Sequence, residues 1–483
     1  MKNLTIETIL RACNGRLYAG DKRSLAREVG QKEAEAVVLD SRLMVPGGVF
    51  IATRGERVDG HQFISQVFRM GALAVICEEL PDRLEGPHIL VEDSFQALKD
   101  VASFYRSQLD IKVIGITGSV GKTSTKECIA GVLSAGFKLW KTQGNFNNEI
   151  GLPLTILQIR KEHEIAVLEM GISQFGEMHR LSGIAKPDIC VITNIGQCHL
   201  EYLGDREGIL RAKSEILDFW NPDGLVCVNG DDDKLITLKE KLGEKLVTFG
   251  RGKGNDYHTI SEVSRGLLGS RIHIGGKVDI KDVDILLPGE PMVLNALAAA
   301  AVADALGLSS EKIREGMRMV EAVAGRSHIL PLKEYVLIDD CYNANPVSMK
   351  AALDLLQEAK GRRVAILGDM FELGEEEERL HRDIGAYAAD GRTDLLFCVG
   401  DLSRAMYQAA FEACNAQKKE AADSSERGIY YTENKQLIYP LLKEKLRPGD
   451  TVLLKASHGM GFSEIVEWLK EKGASDEAPP STE

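Results

Sequence analysis

The chain is short of positive charge for its size. Its 483 residues include 72 Asp and Glu against 59 Lys and Arg, which gives a formal net charge of -13 at pH 7. Such an acidic chain is a poor candidate for binding nucleic acid, which requires an extended basic surface. A single basic pocket for a phosphorylated small molecule is still compatible with this composition.

The sequence also lacks a hydrophobic run long enough to span a bilayer. Its most apolar stretch, MVLNALAAAAVADALGL (292–308), is too short and contains Asn295 and Asp304. The first residues predict an amphipathic helix rather than the continuous apolar core of a signal peptide. We therefore expect no membrane span and a cytoplasmic protein.

The nine cysteines show neither a pairing pattern nor metal-ligand spacing. They are scattered without a C-x-x-C pair, and an odd number cannot pair completely within one chain. Reduced thiols, as in the cytosol, are the simplest interpretation. No internal repeat is present either.

Apolar strands alternating with helices predict an α/β protein with three domains. Residues 1–110 form a small α/β module, and 111–323 contain apolar strands typical of a mostly parallel sheet covered on both faces. Residues 324–483 contain a second doubly wound α/β unit. The tail from about residue 473 is polar and contains proline, so we expect it to be disordered.

Residues 115–127 read GITGSVGKTSTKE, a shortened form of the phosphate-binding loop. The usual pattern places a glycine five positions before the Gly-Lys pair, where this chain has Ile116. The strand before the loop and the helix after it favour a phosphate site over a simple strand–helix turn. We expect ATP here, with Lys122 at the outer phosphates and the Thr123 hydroxyl on Mg²⁺. The predicted nucleotide-binding residues of the loop are Gly118, Ser119, Val120, Gly121, Lys122, Thr123 and Ser124.

Three further side chains could serve a metal. Glu169 ends a strongly apolar strand, where a carboxylate can meet a metal, although surface acids at strand ends are common. His199 is either a metal ligand or a loop histidine. Lys213 falls on the apolar stripe of its helix, where a bare ammonium is costly to bury. Its side chain either reaches back to solvent or takes up CO₂ as a carbamate that could hold a second Mg²⁺.

Two polar stretches follow strands in the third segment. DDCYNANPVSM (339–349) and LGDMFELG (367–374) occupy the positions where doubly wound folds bind substrate groups. His381, just beyond, is expected to be structural.

The order of these motifs resembles the Mur ligase family. TGSVGKTSTKE, GNFNNEIGLPLT, LEMG, ITNIGQCHLEYLG, AKSEI, GRS, YNANPVSM and LGDMFELG occur in that order, and LDSRLMVPGGVFIATRGERVDGHQF (39–63) extends the resemblance into the first segment. The resemblance implies an N-terminal uridine-binding module, a central P-loop ATPase-like domain and a C-terminal Rossmann-like domain.

The resemblance further implies an ATP-dependent, ADP-forming carbon–nitrogen ligase of peptidoglycan synthesis, and hence a role in cell-wall biogenesis, cell shape and cell division. ATP would phosphorylate the terminal carboxylate of a UDP-N-acetylmuramoyl tripeptide, and the amine of D-alanyl-D-alanine would attack the acyl phosphate. A lysine and two magnesium ions suit such a reaction. We expect a monomer that acts on these two small-molecule substrates.

The same resemblance assigns roles to individual residues. Lys122, His199 and Lys213 would be catalytic. Thr123 and Glu169 would serve the first metal, and His199 with carbamylated Lys213 the second. Asn295, Arg326 and Asp340 would contact the nucleotide. The residues implied for the uridine diphosphate are Ser41, Arg42, Gly55, Asp59 and His61, and those for the dipeptide are Asn343, Asn345 and Asp369.

The chain departs from the family pattern at two places. Pro291 and Met292 stand where the family usually has a His-Asn pair associated with adenine, so we expect the adenine contacts to be built differently. His458 stands where an arginine is expected, which would make an anion contact there dependent on pH.

Two other functions are compatible with a phosphate loop of this kind. A folylpolyglutamate-type ligase would share the loop but take a different acceptor, and 39–63 and the Asn-Ala-Asn-Pro stretch argue against it. A non-ligase P-loop ATPase switch is the other alternative, and the intact set of Lys122, Thr123, Glu169, His199 and Lys213 argues against it.

Overall fold

The computed structural model describes residues 1–19, 30–420 and 428–473, with side chains described except at 417–420. These residues form three β-sheets covered by helices. The tail that we expect to be disordered lies outside the described residues, except for Gly473 at the end of the last helix.

The first sheet has five strands in the order β1-β5-β4-β3-β2. Its β1 strand is antiparallel to β5, and the other neighbours are parallel. The faces of β3 and β4 are buried against the helix that follows β3. The strands are β1 (Arg16–Tyr18), β2 (Val37–Val38), β3 (Val49–Ile51), β4 (Ala74–Cys77) and β5 (His88–Leu90).

The second sheet has nine strands in the order β14-β13-β12-β11-β10-β9-β6-β8-β7. Both β6 and β7 run parallel to β8, whereas β12, β13 and β14 form antiparallel pairs. The sheet is therefore mixed, and its antiparallel end was not foreseen in the sequence analysis. The strands are β6 (Lys112–Thr117), β7 (Leu139–Lys141), β8 (Ile165–Glu169), β9 (Ile189–Ile192), β10 (Leu225–Asn229), β11 (Leu246–Gly250), β12 (Tyr257–Ser264), β13 (Ser270–Gly276) and β14 (Ile280–Ile285).

The third sheet has six strands in the order β15-β16-β20-β17-β18-β19. All its neighbours are parallel except β15 and β16. Hydrophobic clusters cover both faces, as expected for a doubly wound sheet. The strands are β15 (His328–Pro331), β16 (Val336–Asp339), β17 (Arg363–Gly368), β18 (Leu395–Val399), β19 (Gly428–Thr432) and β20 (Thr451–Lys455).

Helices connect most of these strands, and several begin with a side-chain cap. Asp93, for example, accepts the Gln96 N–H at the start of a helix that packs its apolar side inward. The helices are Ile6–Ala12, Ile64–Arg69, Ser94–Ser107, Lys122–Ser134, Gly151–Leu157, Glu177–Ala185, Leu200–Leu203, Arg206–Ser214, Lys239–Leu242, Glu290–Ala305, Ser310–Met317, Pro346–Gln357, Glu377–Ala389, Ser403–Glu420, Ile438–Lys445 and Ser463–Gly473.

The chain divides into two compact units. Unit 1 comprises Met1–Thr117, Gly136–Val191 and Ala212–Val226, and unit 2 comprises Gly118–Ala135, Ile192–Arg211 and Cys227–Glu483. The three sheets lie within the three segments that the sequence suggests. The boundaries near residues 110 and 323 stay a prediction.

Apolar burial follows the sequence pattern. The alanine-rich helix Glu290–Ala305 is buried along most of its length, as predicted for 292–308. All nine cysteines are buried free thiols, and burial raises the pKa of Cys128 to about 12. None of the helices in the described part of the chain combines the length and the apolar character that a membrane crossing needs.

Asp284 on β14 is a buried carboxylate surrounded by three arginines. Its Oδ1 accepts hydrogen bonds from Arg271 Nε at 2.7 Å and Arg265 Nη2 at 3.1 Å. Its Oδ2 accepts from Arg318 Nη2 at 2.7 Å. The Arg271 hydrogen bond, reinforced by the other two arginines, lowers the pKa of this carboxyl. The fold therefore stabilises the ionised form.

We expect Asp284→Asn to lower the free energy of unfolding at neutral pH by about 2 kcal/mol, as is typical for hydrogen bonds to charged groups. Because the folded pKa lies below the unfolded value, this stabilisation is present above the unfolded pKa and is lost as the pH falls through the folded pKa. Urea titrations at a series of falling pH values should show that the difference in free energy of unfolding between wild type and Asp284→Asn becomes smaller. Asp282→Asn is the control, since Asp282 is exposed and lies 4.0 Å from Arg271. A difference between wild type and Asp284→Asn that stays constant with pH would contradict the prediction.

Candidate active site

The glycine loop leads from β6 into the helix Lys122–Ser134, which we call the loop helix. Gly121 is the N-cap residue, with a φ of 84° that glycine adopts without strain. The N–H groups in the first turn of any helix have no partners within that helix, and the positive end of its dipole lies there. The main-chain N–H groups of Lys122, Thr123 and Ser124 form this first turn, where the sequence analysis expects phosphate.

Asn194 and Thr193 hold the loop through its main chain. Asn194 Oδ1 accepts the Val120 N–H at 3.0 Å, and Asn194 Nδ2 donates to Val120 O at 3.1 Å. Thr193 Oγ1 donates to the same carbonyl at 2.6 Å, and the Ser119 N–H donates to Asn194 O at 3.0 Å. The main-chain N–H groups of Ser119 and Val120 are thus used to fix the shape of the loop. Phosphate binding by the loop stays a prediction.

Lys122 lies over this loop. Its Nζ donates a hydrogen bond to Gly118 O at 2.9 Å, and the residue is half-buried. The hydroxyl-bearing Thr123 beside it is buried. The ammonium therefore lies at the glycine loop, and its contact with the outer phosphates stays a prediction.

Gly118 has no room for a side chain. Its φ is 149°, and an added Cβ would lie 1.9 Å from Thr193 Oγ1. We expect Gly118→Ala to shift the loop and to lower kcat/KM for ATP by at least about 10²-fold, since a shift of about 1 Å at a reacting group has that effect. Steady-state kinetics with varied ATP would measure it.

Gly307→Ala is the matched control for this loop variant. Gly307 has a φ of 81°, but its added Cβ meets no described atom within 4 Å. It therefore imposes backbone strain without the collision. Equal losses in both variants would mean that strain, not the contact with Thr193, determines the effect.

Asn295 is joined to the loop helix by its side chain. Its Oδ1 accepts from Thr125 Oγ1 at 2.7 Å, and its Nδ2 lies 3.3 Å from the Met292 sulfur. An added Cβ at Gly121 would lie 3.9 Å from Asn295 Oδ1. Asn295 therefore lies beside the phosphate loop, and Met292 contacts it at the place where the family pattern has a polar residue. Pro291 occupies the first turn of the alanine-rich helix.

Glu169 is fixed at the carboxyl end of β8. It is buried, its Oε1 accepts from Asn147 Nδ2 at 2.8 Å, and its main-chain N–H donates to Thr142 Oγ1 at 3.0 Å. Asn147 belongs to the stretch GNFNNEIGLPLT. The carboxylate is held in one orientation at the strand end, as the metal hypothesis requires.

Lys213 is completely buried in the helix Arg206–Ser214, with Ile209 and Ile216 also buried. The alternative in which its side chain reaches solvent is therefore wrong. The carbamate stays a prediction.

His199 meets a carboxylate from the LGDMFELG stretch. Its Nδ1 lies 2.6 Å from Glu372 Oε2, and this contact lowers the pKa of the Glu372 carboxyl. The distance is short, but the direction is poor for a hydrogen bond, so we describe it as a close polar contact. The other ring nitrogen, Nε2, faces away from Glu372 by the geometry of the ring.

Arg326, Asp340 and their neighbours form one cluster in the third segment. The Arg326 guanidinium carbon lies 3.9 Å from the centre of the Tyr342 ring, and His458 lies beside the same ring at 5.5 Å. Lys455 is buried and donates to Asp340 Oδ2 at 2.7 Å. The cluster combines a planar cation, an aromatic face and a paired carboxylate, which suits a nucleoside.

The three residues expected at the dipeptide have local partners. The Asn343 amide oxygen accepts the N–H of the next residue, and Asn345 caps the helix Pro346–Gln357 in a reciprocal pair with Ser348. Asp369 is buried and accepts from both the N–H and the hydroxyl of Ser403. Asp369 is thus placed to anchor the start of the helix Ser403–Glu420. The contact of all three residues with a dipeptide stays a prediction.

In the first segment, Ser41 and Arg42 differ in exposure. Ser41 is buried at the start of a short 3₁₀ helix, whereas the Arg42 guanidinium is exposed and hydrogen-bonded to Asp40. That hydrogen bond lowers the pKa of the Asp40 carboxyl. An exposed arginine beside a carboxylate can exchange this partner for a ligand anion at little cost.

Asp59 and His61 organise the loop that begins at Gly55. Asp59 accepts the His61 N–H at 2.9 Å, and His61 Nδ1 lies 2.7 Å from the same carboxylate oxygen. His61 Nε2 accepts the Glu78 N–H at 3.0 Å. Both side chains therefore shape the loop, together with the turn from Gly55 N–H to Val58 O at 3.0 Å.

Across residues 1–19, 30–420 and 428–473, no group of three or more His, Cys, Asp or Glu is placed to hold a metal. The candidates nevertheless fit Mg²⁺, because this ion takes one or two protein oxygens and completes its shell with phosphates and water. The oriented Glu169 carboxylate and the buried Thr123 hydroxyl are hard oxygen donors of this kind.

Sequence reasoning missed Tyr342, Glu372 and Lys455. Lys455 had a detectable signal, since a lysine closes the otherwise apolar strand β20 and is buried there. Tyr342 and Glu372 lie inside stretches that the sequence analysis had singled out, but their partners are distant in the chain. His381 lies as expected, buried between Glu377 O and the Met370 N–H.

Three family models match the chain. They are the Mur ligase family catalytic domain over residues 33–106, the Mur ligase middle domain over 116–303, and the Mur ligase glutamate ligase domain over 325–458.

Individual proteins match over nearly the whole length. The UDP-N-acetylmuramoyl-tripeptide–D-alanyl-D-alanine ligase of Bacillus subtilis is 39% identical over 450 residues, which cover 92% of this chain and 95% of the relative. A crystal structure of MurF from Acinetobacter baumannii superposes with a TM-score of 0.84 at 30% identity, covering 97% of this chain and 99% of that one. The crystal structure of MurF ligase from Thermotoga maritima in complex with ADP superposes with a TM-score of 0.75 at 28% identity. The match covers 90% of this chain and 97% of that one.

Proposed function

Because this chain belongs to the Mur ligase family, we propose that it is a UDP-N-acetylmuramoyl-tripeptide–D-alanyl-D-alanine ligase. It is an ATP-dependent ligase of peptidoglycan precursor synthesis. The observation that carries this assignment is the match to a ligase of that name along nearly the full length of both chains. The phosphate loop and its first helical turn supply the place for ATP.

The reaction has two steps. A carboxylate oxygen at the end of the tripeptide attacks the γ-phosphorus of ATP, the bond to the bridging oxygen breaks, and ADP leaves. The neutral amine of D-alanyl-D-alanine then attacks the acyl carbon, so that the amide bond forms and the carbon–oxygen bond to phosphate breaks. Phosphate leaves, and the amine loses a proton.

The loop helix binds the nucleotide in this proposal. Lys122 stabilises the transferring phosphoryl group, and the first-turn amides bind its oxygens. Asn295 holds the loop helix from the side through Thr125. Arg326 and Asp340, supported by Tyr342 and Lys455, take the nucleoside.

Two magnesium ions, when bound, would neutralise charge on the phosphoryl group during transfer. Thr123 and Glu169 would hold the first, and His199 with Lys213 as a carbamate would hold the second. The burial of Lys213 supports this proposal, because a carbamate beside a metal ion would be a paired charge, whereas a bare ammonium is costly to bury.

The substrate groups are assigned by position. Ser41, Arg42 and the loop from Gly55 would face the uridine diphosphate, with Asp59 and His61 setting the shape of that loop. Asn343, Asn345 and Asp369 would support the loops around the dipeptide through their local contacts.

The domain boundaries 1–110, 111–323 and 324–483, a monomeric state and a cytoplasmic location complete the proposal. The pentapeptide product would supply cell-wall synthesis, and hence cell shape and division.

The test is phosphate release from ATP and Mg²⁺ with the UDP-N-acetylmuramoyl tripeptide, with and without D-alanyl-D-alanine, and with the product examined by mass spectrometry. We expect one phosphate for each pentapeptide formed. Phosphate release that ignores both substrates would favour an ATPase switch, and turnover with a folate acceptor would favour a folylpolyglutamate-type ligase.

A further inference from the structure

Glu372 and His199 are both held in left-handed backbone conformations. Their φ values are 63° and 51°, a region that residues other than glycine rarely adopt. A residue keeps such a backbone conformation only where the surrounding structure holds it there. The surroundings in unit 2 therefore hold these two side chains close together.

The backbone around Glu372 is anchored on both sides. The Met370 N–H donates to His381 Nε2 and the Phe371 N–H donates to Ser457 Oγ, each at 3.0 Å. Leu373, the next residue, is buried. These contacts of the neighbouring residues hold the backbone of Glu372 in position.

The segment that carries His199 is docked on the same part of unit 2. Leu200 packs against the hydrophobic cluster of the third sheet, which includes Leu373 and Leu380. An added Cβ at Gly374 would lie 3.7 Å from the Glu201 backbone, so the two segments approach closely here. His199 is therefore held next to Glu372 by the packing of its own segment as well as by the contact between the two side chains.

The distance between the two groups determines which ring nitrogen carries the proton. At 2.6 Å, an unprotonated Nδ1 would repel the carboxylate oxygen, because both atoms then carry negative partial charge. A proton on Nδ1 removes this repulsion and leaves the lone pair on Nε2. Histidines that serve metals are commonly fixed in this way by a carboxylate on the other nitrogen.

We propose that Glu372 is a positioning residue for the ligase reaction, which holds His199 in the Nδ1–H tautomer and so presents Nε2 to the metal. This inference rests on the proposed function. It gives the LGDMFELG stretch a role through Glu372, at a place where the sequence analysis had selected Asp369.

The first test is ¹⁵N NMR of the imidazole nitrogens in the full chain without substrates, with His199→Gln used only to assign the signal. Wild type should show a single Nδ1–H tautomer at His199, and Glu372→Ala should show both tautomers or the Nε2–H form. Identical His199 signals in wild type and Glu372→Ala would overturn the proposal. This readout does not depend on catalysis, so it stands apart from any failure of the proposed function.

The second test is Mn²⁺ binding in the presence of ADP, followed by electron paramagnetic resonance. Glu372→Ala should weaken binding about 10-fold, as is typical when the partner of a metal-binding histidine is removed. Glu372→Gln should fall between, because an amide oxygen still attracts the Nδ1–H but carries no full charge. Glu375→Ala is the control, since Glu375 is an exposed carboxylate on the same segment. Unchanged Mn²⁺ affinity in Glu372→Ala, or an equal loss in Glu375→Ala, would contradict the role.

Discussion

Lys122→Ala is expected to lower the rate of acyl phosphate formation by at least about 10³-fold, because removal of one charge-stabilising donor from a phosphoryl-transfer or acyl-transfer site costs about 10²–10³-fold and this donor carries a full charge. The ammonium lies on the loop, 2.9 Å from Gly118 O, and no neighbouring lysine in the loop can replace it. Single-turnover measurement of ADP formation with the UDP-linked tripeptide isolates this step.

The control for this variant is Lys112→Ala. Lys112 begins β6, its side chain is 61% exposed, and its contact with Asp188 is a long 3.5 Å ion pair of the kind that contributes little. We expect near wild-type rates for Lys112→Ala, and a melting temperature that is unchanged in both variants. Normal single-turnover rates in Lys122→Ala would remove the phosphate-loop assignment.

Lys213→Ala should lower the overall ligase rate by about 10²–10³-fold, and added short carboxylic acids should restore part of the activity. The physical reason is burial: a side chain with no exposed surface leaves a cavity on truncation, and a small carboxylate can fill it and supply the lost anionic oxygens. Rates measured at rising formate or acetate concentration would reveal the recovery.

Lys122→Ala serves as the control for this rescue experiment. It lacks a cation, and an added carboxylate anion cannot replace a cation. Labelling with ¹³CO₂ adds a readout that is independent of activity, since the wild-type chain should give a carbamate carbon signal that Lys213→Ala lacks. Absence of both rescue and signal would leave Lys213 as a buried amine with a structural role.

Local motifs were predictable because their chemistry is carried by adjacent residues. The strand, glycine loop and helix around Lys122 lie where the sequence indicated, as do Glu169 at the end of β8 and Lys213 on the buried side of its helix. Each of these follows from periodicity or from a short motif.

Contacts between distant positions could not be predicted in this way. Nothing in the spacing indicates that Glu372 would meet His199, or that Lys455 would pair with Asp340. The antiparallel strands β12–β14 were missed for a related reason. Several residues on β12 are exposed and its ladder is interrupted by a bulge, so the apolar pattern that marks buried parallel strands is weak there.

The hydrogen bonds between Asn194 and the phosphate loop affect which substitutions the loop tolerates. Asn194 contacts only main-chain atoms of Val120, so many side chains can occupy position 120 while the loop keeps its shape. A substitution at position 194, by contrast, removes two hydrogen bonds to the loop at once. We therefore expect the shape of the loop to depend more on residue 194, which lies outside the motif, than on the side chain at position 120 within it.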